Sequence, residues 1–129
     1  HRSTVDASAC VRADLRDATA VAAAFELVRA SMVIHAAWKL DAPSILDATR
    51  NVVAGAAAVG ADVVHLSTDA VFAGDGRPVD ELSPPDPMSD HGRWKAEAEA
   101  IVESIYSEPR DTGAGYRLVF ELPAGWDSG

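Results

Sequence analysis

Apolar positions along this chain fall into two kinds of run. Ser31-Met32-Val33-Ile34-His35, Asp62-Val63-Val64-His65-Leu66 and Tyr116-Arg117-Leu118-Val119-Phe120 are short and nearly continuous. Runs of that length predict strands buried on both faces, as in a parallel sheet. Ala9 to Ala13 is expected to form another, followed by Asp14-Leu15. Between these runs the apolar residues recur every three or four positions. Val21, Ala24, Phe25 and Val28 share one stripe of a helix that Asp17 or Thr19 starts and that runs to about Ala30. Ile45, Ala48, Val52, Ala56 and Val59 share another, in a helix opened by Pro43, capped by Ser44 and ended by Gly60. A third helix runs from His91 to Tyr106 behind Ser89 or Asp90 as cap. It is expected to bury Trp94, Ala98, Ile101 and Ile105 and to show Glu97, Glu99 and Glu103 to water. Strand and helix alternate, which predicts right-handed βαβ units around a parallel sheet.

The alternation also locates the chemistry. In open α/β sheets ligands bind beyond the carboxyl ends of the strands, and Ser67, Thr68 and Asp69 stand at such an end. Gly74-Asp75-Gly76 makes a tight turn in the loop that follows, and Pro84, Pro85 and Pro87 hold its second half extended. His91 and Lys95 are four residues apart, so they share a face near the start of the third helix. A hydroxyl pair at a strand end and a titratable pair at a helix start make a usable catalytic arrangement.

Charge narrows the partners. In 129 residues, 11 Lys and Arg face 20 Asp and Glu, for a net charge of −9. A field of that sign repels phosphate backbones, so nucleic acid is not an expected partner. No apolar run has the length of a membrane span, and no signal-peptide pattern opens the chain. The lone Cys10 precludes an internal disulfide, fits a reducing cytoplasm and is expected to be a small buried side chain. The spacings suggest no metal site.

Ser67-Thr68-Asp69-Ala70-Val71-Phe72-Ala73-Gly74, the Pro-rich loop, and His91-Gly92-Arg93-Trp94-Lys95 together resemble the extended short-chain dehydrogenase/reductases, nearest the dTDP-4-dehydrorhamnose reductase branch. The resemblance spans roughly residues 11 to 105, and the Ser67–Gly74 segment is its most specific part. It implies the third to sixth strands, with their connecting helices, of an incomplete Rossmann-type doubly wound parallel sheet. In domain terms residues 1–129 would be a single partial NAD(P)-binding domain. In that family a hydroxyl binds the substrate carbonyl, a tyrosine donates a proton to its oxygen, and a lysine four residues on holds the nicotinamide ribose. Thr68 matches the hydroxyl and Lys95 the lysine, with Ser67 beside the cofactor. Asp14 and Leu15 match the adenine-contacting pair, Ala36 and Ala37 the small residues over which the dinucleotide lies, and Arg2 an arginine that meets the 2′-phosphate of NADP. Asn51 matches an asparagine that shapes the active-site network. The implied cofactor is NADPH or NADH, and the implied substrate a nucleotide sugar. The full-length protein is expected to be a homodimer.

Two departures stand out. His91 occupies the tyrosine's place. No glycine precedes Gly55, so the glycine-rich turn that wraps a pyrophosphate is not encoded here, and neither is a C-terminal substrate domain. The expectation is a fragment of a keto-sugar nucleotide reductase. The alternatives are a non-catalytic dinucleotide-binding regulatory protein on the same scaffold, like the regulatory subunit of methionine adenosyltransferase, and an inactive truncated product.

Overall fold

The structure, a computed structural model, describes residues 10–106 and 116–121. Three strands form one sheet in the order β1-β2-β3: β1 is Met32–His35, β2 Asp62–Thr68 and β3 Tyr116–Glu121. Both pairings are parallel, with Met32 beside Asp62, His35 beside His65, and Thr68 beside Glu121. The helices are α1 (Ala18–Val28), α2 (Ala42–Val59) and α3 (Asp90–Tyr106), and a short 3-10 turn, Asp69–Val71, follows β2. Parallel strands joined through helices are the architecture that the alternating pattern requires.

The helix ends follow from local chemistry, with one change of residue. Asp17 caps α1 by accepting from the backbone N–H groups of Thr19 and Ala20. Asp41, rather than Ser44, caps α2: its carboxylate accepts from the Ser44 N–H at 2.8 Å. The carboxylate leaves Ser44 inside the first turn. Gly60 ends α2 in the left-handed region, at φ 73°, which a side chain would strain. Ser89 caps α3 by accepting from the Gly92 N–H at 3.1 Å.

The core lies where α2 and α3 cover one face of β2. Val63, His65 and Ser67 alternate inward along β2, against Ile45, Ala48, Val52, Val53 and Ala56 of α2 and Ala98 and Val102 of α3. Phe25 of α1 and Val33 of β1 pack on the cluster of Ala56, Ala61 and Val63. Val28 does not share in this; it stands 57% exposed at the end of α1. On β1, Met32 and Ile34 face outward, 56% and 66% exposed.

Three further expectations change. Cys10 to Ala13 form no strand, because an extended segment becomes one only beside a ladder and these residues have none; Ala9 lies outside the described residues. Cys10 is exposed, not buried. Glu99 is buried, not turned to water. Arg2 and the Ile105 side chain lie outside the described residues. Among the described residues no helix is long and apolar enough to cross a membrane, and no three His, Cys, Asp or Glu gather as a metal ion would need.

Candidate functional site

Lys95 is the pivot of the site. It lies on the inner face of α3, 3% exposed, and its Nζ donates to the Leu66 carbonyl of β2 at 2.8 Å. An ammonium this buried must be compensated. Besides that carbonyl it has the Trp38 ring, whose centroid lies 5.9 Å from Nζ, within cation–π range. One turn earlier, half-buried His91 packs on the same indole, with ring centroids 4.9 Å apart and planes tilted by 41°. His91, Lys95 and Trp38 thus form one cluster beyond the end of β1 and beside the end of β2.

The approach of α3 to β2 depends on Gly92. A Cβ there would lie 2.1 Å from the Ala70 carbonyl oxygen, so only glycine lets the first turn of α3 rest on the 3-10 turn. The loop closes over the same turn, with the Asp86 N–H donating to the Val71 carbonyl at 2.9 Å. Residues 69–86 of this loop enclose a cavity of about 670 Å³ whose lining includes Asp69, Phe72, Arg77 and Pro84.

The hydroxyl pair at the end of β2 is divided. Ser67 is fully buried and donates to the Glu99 carboxylate of α3. Its side chain is therefore engaged inside, and a cofactor contact at this position falls to its backbone. Thr68, the last residue of β2, is half-buried at the strand end. Its Oγ1 caps the 3-10 turn, accepting from the Ala70 N–H at 3.3 Å.

Below the cluster two imidazoles stack in register, His35 on β1 and His65 on β2, with centroids 5.3 Å apart. His35 Nε2 shares a hydrogen bond with Thr49 Oγ1 at 3.1 Å, and Thr49 donates to the Ile45 carbonyl. Burial, with the Lys95 charge behind it, pushes His35 down to about 4. Burial, then His35 and Lys95, push His65 to about 3. Both are neutral near pH 7, so they do not add to the positive charge at Lys95.

Asp14, Leu15 and Ala37 do meet. With Arg16, Trp38, Lys39, Ser44 and Ala48 they line a second cavity, of about 310 Å³. Asn51 of α2 fixes that wall, its Nδ2 donating to the Leu15 carbonyl at 2.8 Å. The Asp14 carboxylate accepts from Arg16 Nε at 3.0 Å and from Nη2 at 2.8 Å, and these bonds hold it low, near 2. Ala36 and Ala37 are exposed at the end of β1. Trp38 alone belongs to both this cavity and the His91–Lys95 cluster. The sequence signaled neither Trp38 nor Glu99 as a site residue. For Glu99 the signal was available, since it continues the four-residue spacing of His91 and Lys95.

A family model described as the RmlD substrate binding domain matches residues 1–110. The chain belongs to that family. The solved structures similar to this family member include a dTDP-4-dehydrorhamnose reductase from Clostridium acetobutylicum, 26% identical with TM-score 0.72, over 83% of this chain and 40% of that one. The dTDP-4-dehydrorhamnose reductase from Bacillus anthracis, solved in complex with NADP, is also 26% identical with TM-score 0.72, over 84% and 40%. A UDP-glucose 4-epimerase from Thermus thermophilus, in complex with NAD, is 27% identical with TM-score 0.68, over 84% and 38%. The methionine adenosyltransferase 2 subunit beta of Xenopus tropicalis is 33% identical, over 69% of this chain and 30% of the relative. The RmlD-family chain thus spans less than half the length of these relatives, and its fold is that of an incomplete Rossmann-type sheet.

Proposed function

We propose that this chain is the part of an NAD(P)H-dependent reductase of keto-sugar nucleotides that carries the hydroxyl, the proton donor and the ribose-holding lysine. The observation that carries it is the seating of Lys95 on the end of β2 with His91 one turn away on the same indole. The likeness to two dTDP-4-dehydrorhamnose reductases supports the substrate class.

The residues fit a dinucleotide in part. Exposed Ala36 and Ala37 leave the backbone open to close approach. The adjoining cavity, with Asp14 and Leu15 at one side and the cations Arg16 and Lys39 on its wall, suits an adenosine and its phosphates. Lys95 would hold the nicotinamide ribose, Ser67 would contribute backbone only, and Arg2 would meet a 2′-phosphate. The glycine turn for the pyrophosphate is not among this chain's residues. When bound, the dinucleotide supplies the hydride.

Carbonyl reduction builds negative charge on one oxygen, so donors must already face it. The Thr68 hydroxyl would donate to that oxygen, exchanging its bond to the Asp69 carboxylate for one to substrate. His91 would hand over the proton, with the Lys95 charge making its release easier.

The test is turnover of a keto-sugar nucleotide in a polypeptide that extends this chain with a glycine-rich strand-turn-helix. Thr68→Val should lower turnover by roughly 100- to 1000-fold. His91→Tyr should raise it, because the phenol reaches farther and misplacement by about 1 Å costs on the order of 100-fold. Turnover that ignores Thr68 contradicts its role; turnover that falls with tyrosine at position 91 contradicts the argument from reach and shows the imidazole to be the adapted acid.

A second reading has its own support: His91 where the family resemblance expects tyrosine, and the methionine adenosyltransferase subunit among the relatives. On that reading the extended polypeptide binds a dinucleotide without turning over, and the two substitutions leave its affinity unchanged.

A further inference from the structure

The inner face of α3 does not stop at Lys95. One turn on, Glu99 is 8% exposed and accepts the Ser67 hydroxyl, itself fully buried. Two successive turns of α3 thus grip two successive residues of β2, with the Lys95 ammonium on the Leu66 carbonyl and the Glu99 carboxylate on the Ser67 hydroxyl. A buried ammonium and a buried carboxylate are each costly alone, and removing one partner strands the other. We infer that Glu99 is a positioning residue of this site, whose carboxylate is the counter-charge that keeps Lys95 charged and seated on the end of β2.

The surrounding groups agree. Burial pushes the Glu99 carboxyl up, the Ser67 hydrogen bond holds it down, Glu103 on the next turn pushes it up, and Lys95 draws it down. Among the described residues, the other titratable groups facing the pair are His91 on α3, His35 on β1 and His65 on β2. The two strand histidines are neutral at pH 7 and bring no negative charge to Lys95. From α2, uncharged Thr49 reaches this layer through His35.

The inference rests on the functional proposal only for the use made of Lys95, so its test reads Lys95 with no ligand present. The 129-residue chain, labelled with ¹⁵N on lysine Nζ and ¹³C on glutamate carboxyls, is titrated by NMR. In the parent chain the Lys95 Nζ signal should step at the pH where the Glu99 carboxyl titrates. Glu99→Gln keeps the size and an acceptor for Ser67, so Lys95 should lose its proton at lower pH and its Nζ hydrogens should exchange faster with water. Ser67→Ala keeps the charge and should leave the Lys95 midpoint where it is.

A Lys95 midpoint that is unchanged in Glu99→Gln overturns the inference. So does an absent step in the parent, or a shift in Ser67→Ala as large as in Glu99→Gln, which would assign the effect to the clip and not the charge. If Glu99→Gln fails to fold, the parent titration decides alone. NADPH titration of the polypeptide extended with a glycine-rich strand-turn-helix tests the functional proposal separately; coupling of Lys95 to Glu99 with no dinucleotide bound by that extended polypeptide removes that proposal and supports this one.

Discussion

Replacing Gly92 by alanine isolates the contact that fixes the site's geometry. At an exposed helix position the change is favourable by roughly 0.5–1 kcal/mol, because glycine loses more backbone freedom on folding. Here the added Cβ would lie 2.1 Å from the Ala70 carbonyl oxygen, against 3.4–4 Å for ordinary contact. The obstacle is backbone, and the turn that holds it is tied by its own cap at Thr68 and by the Asp86 bond to Val71. The first turn of α3 must therefore retreat by more than about 1 Å. Forcing a group into a packed interior costs roughly 1–3 kcal/mol, so net destabilisation of about 1 kcal/mol or more is expected.

The retreat would also draw His91 away from Trp38, now 4.9 Å distant. Urea unfolding measures the first effect. The pH dependence of Trp38 fluorescence measures the second, since an imidazolium at that distance quenches an indole and a withdrawn one does not. Gly92→Ala that stabilises the chain by half a kcal/mol or more, with the quenching intact, would refute the reasoning.

Two further outcomes follow from the same geometry. His35 and His65 titrate near 4 and 3 in the fold against an ordinary 6.5, so the unfolded chain binds more protons between those values. Stability should be complete above pH 6.5 and fall by a few kcal/mol as pH drops from 6.5 toward 3, opposed by the raised Glu99 carboxyl; urea midpoints flat across that range would contradict the burial argument. The 129-residue chain should bind NADPH weakly, because the glycine turn that places a helix N-terminus on the pyrophosphate is not in it; micromolar affinity by calorimetry would contradict this.

The sheet was legible because its signals are local. Each apolar run that became a strand is short and nearly continuous, and Asp17, Gly60 and Ser89 act at helix ends as their chemistry requires. Two errors of the same kind came from elements whose state depends on a neighbour. Cys10 to Ala13 have strand-like composition but no ladder beside them. Val28 continues the stripe of α1 but, as its last residue, stands exposed.

The site was legible along the chain and less so across it. The four-residue interval of His91 and Lys95 put them on one face, which the fold keeps. Which face each strand-end hydroxyl takes depends on the strand's length. Because β2 runs on to Thr68, alternation sends Ser67 inward to Glu99 while Thr68 caps the turn, and the adjacent pair separates. Glutamates 97, 99 and 103 looked alike as a solvated face, yet only Glu99 lies one turn beyond a buried lysine and opposite a buried serine. Burial of a charge is decided by its partners, and those partners come from another element. Trp38 was missed for the corresponding reason. It is 45% exposed just past β1, and nothing in Ala36-Ala37-Trp38 announces that His91, more than fifty residues later, will rest against it. A Trp38→Leu chain would keep the apolar end of β1 but remove the indole shared by His91 and Lys95, so the link between the cavity and the helix start lies in that one ring.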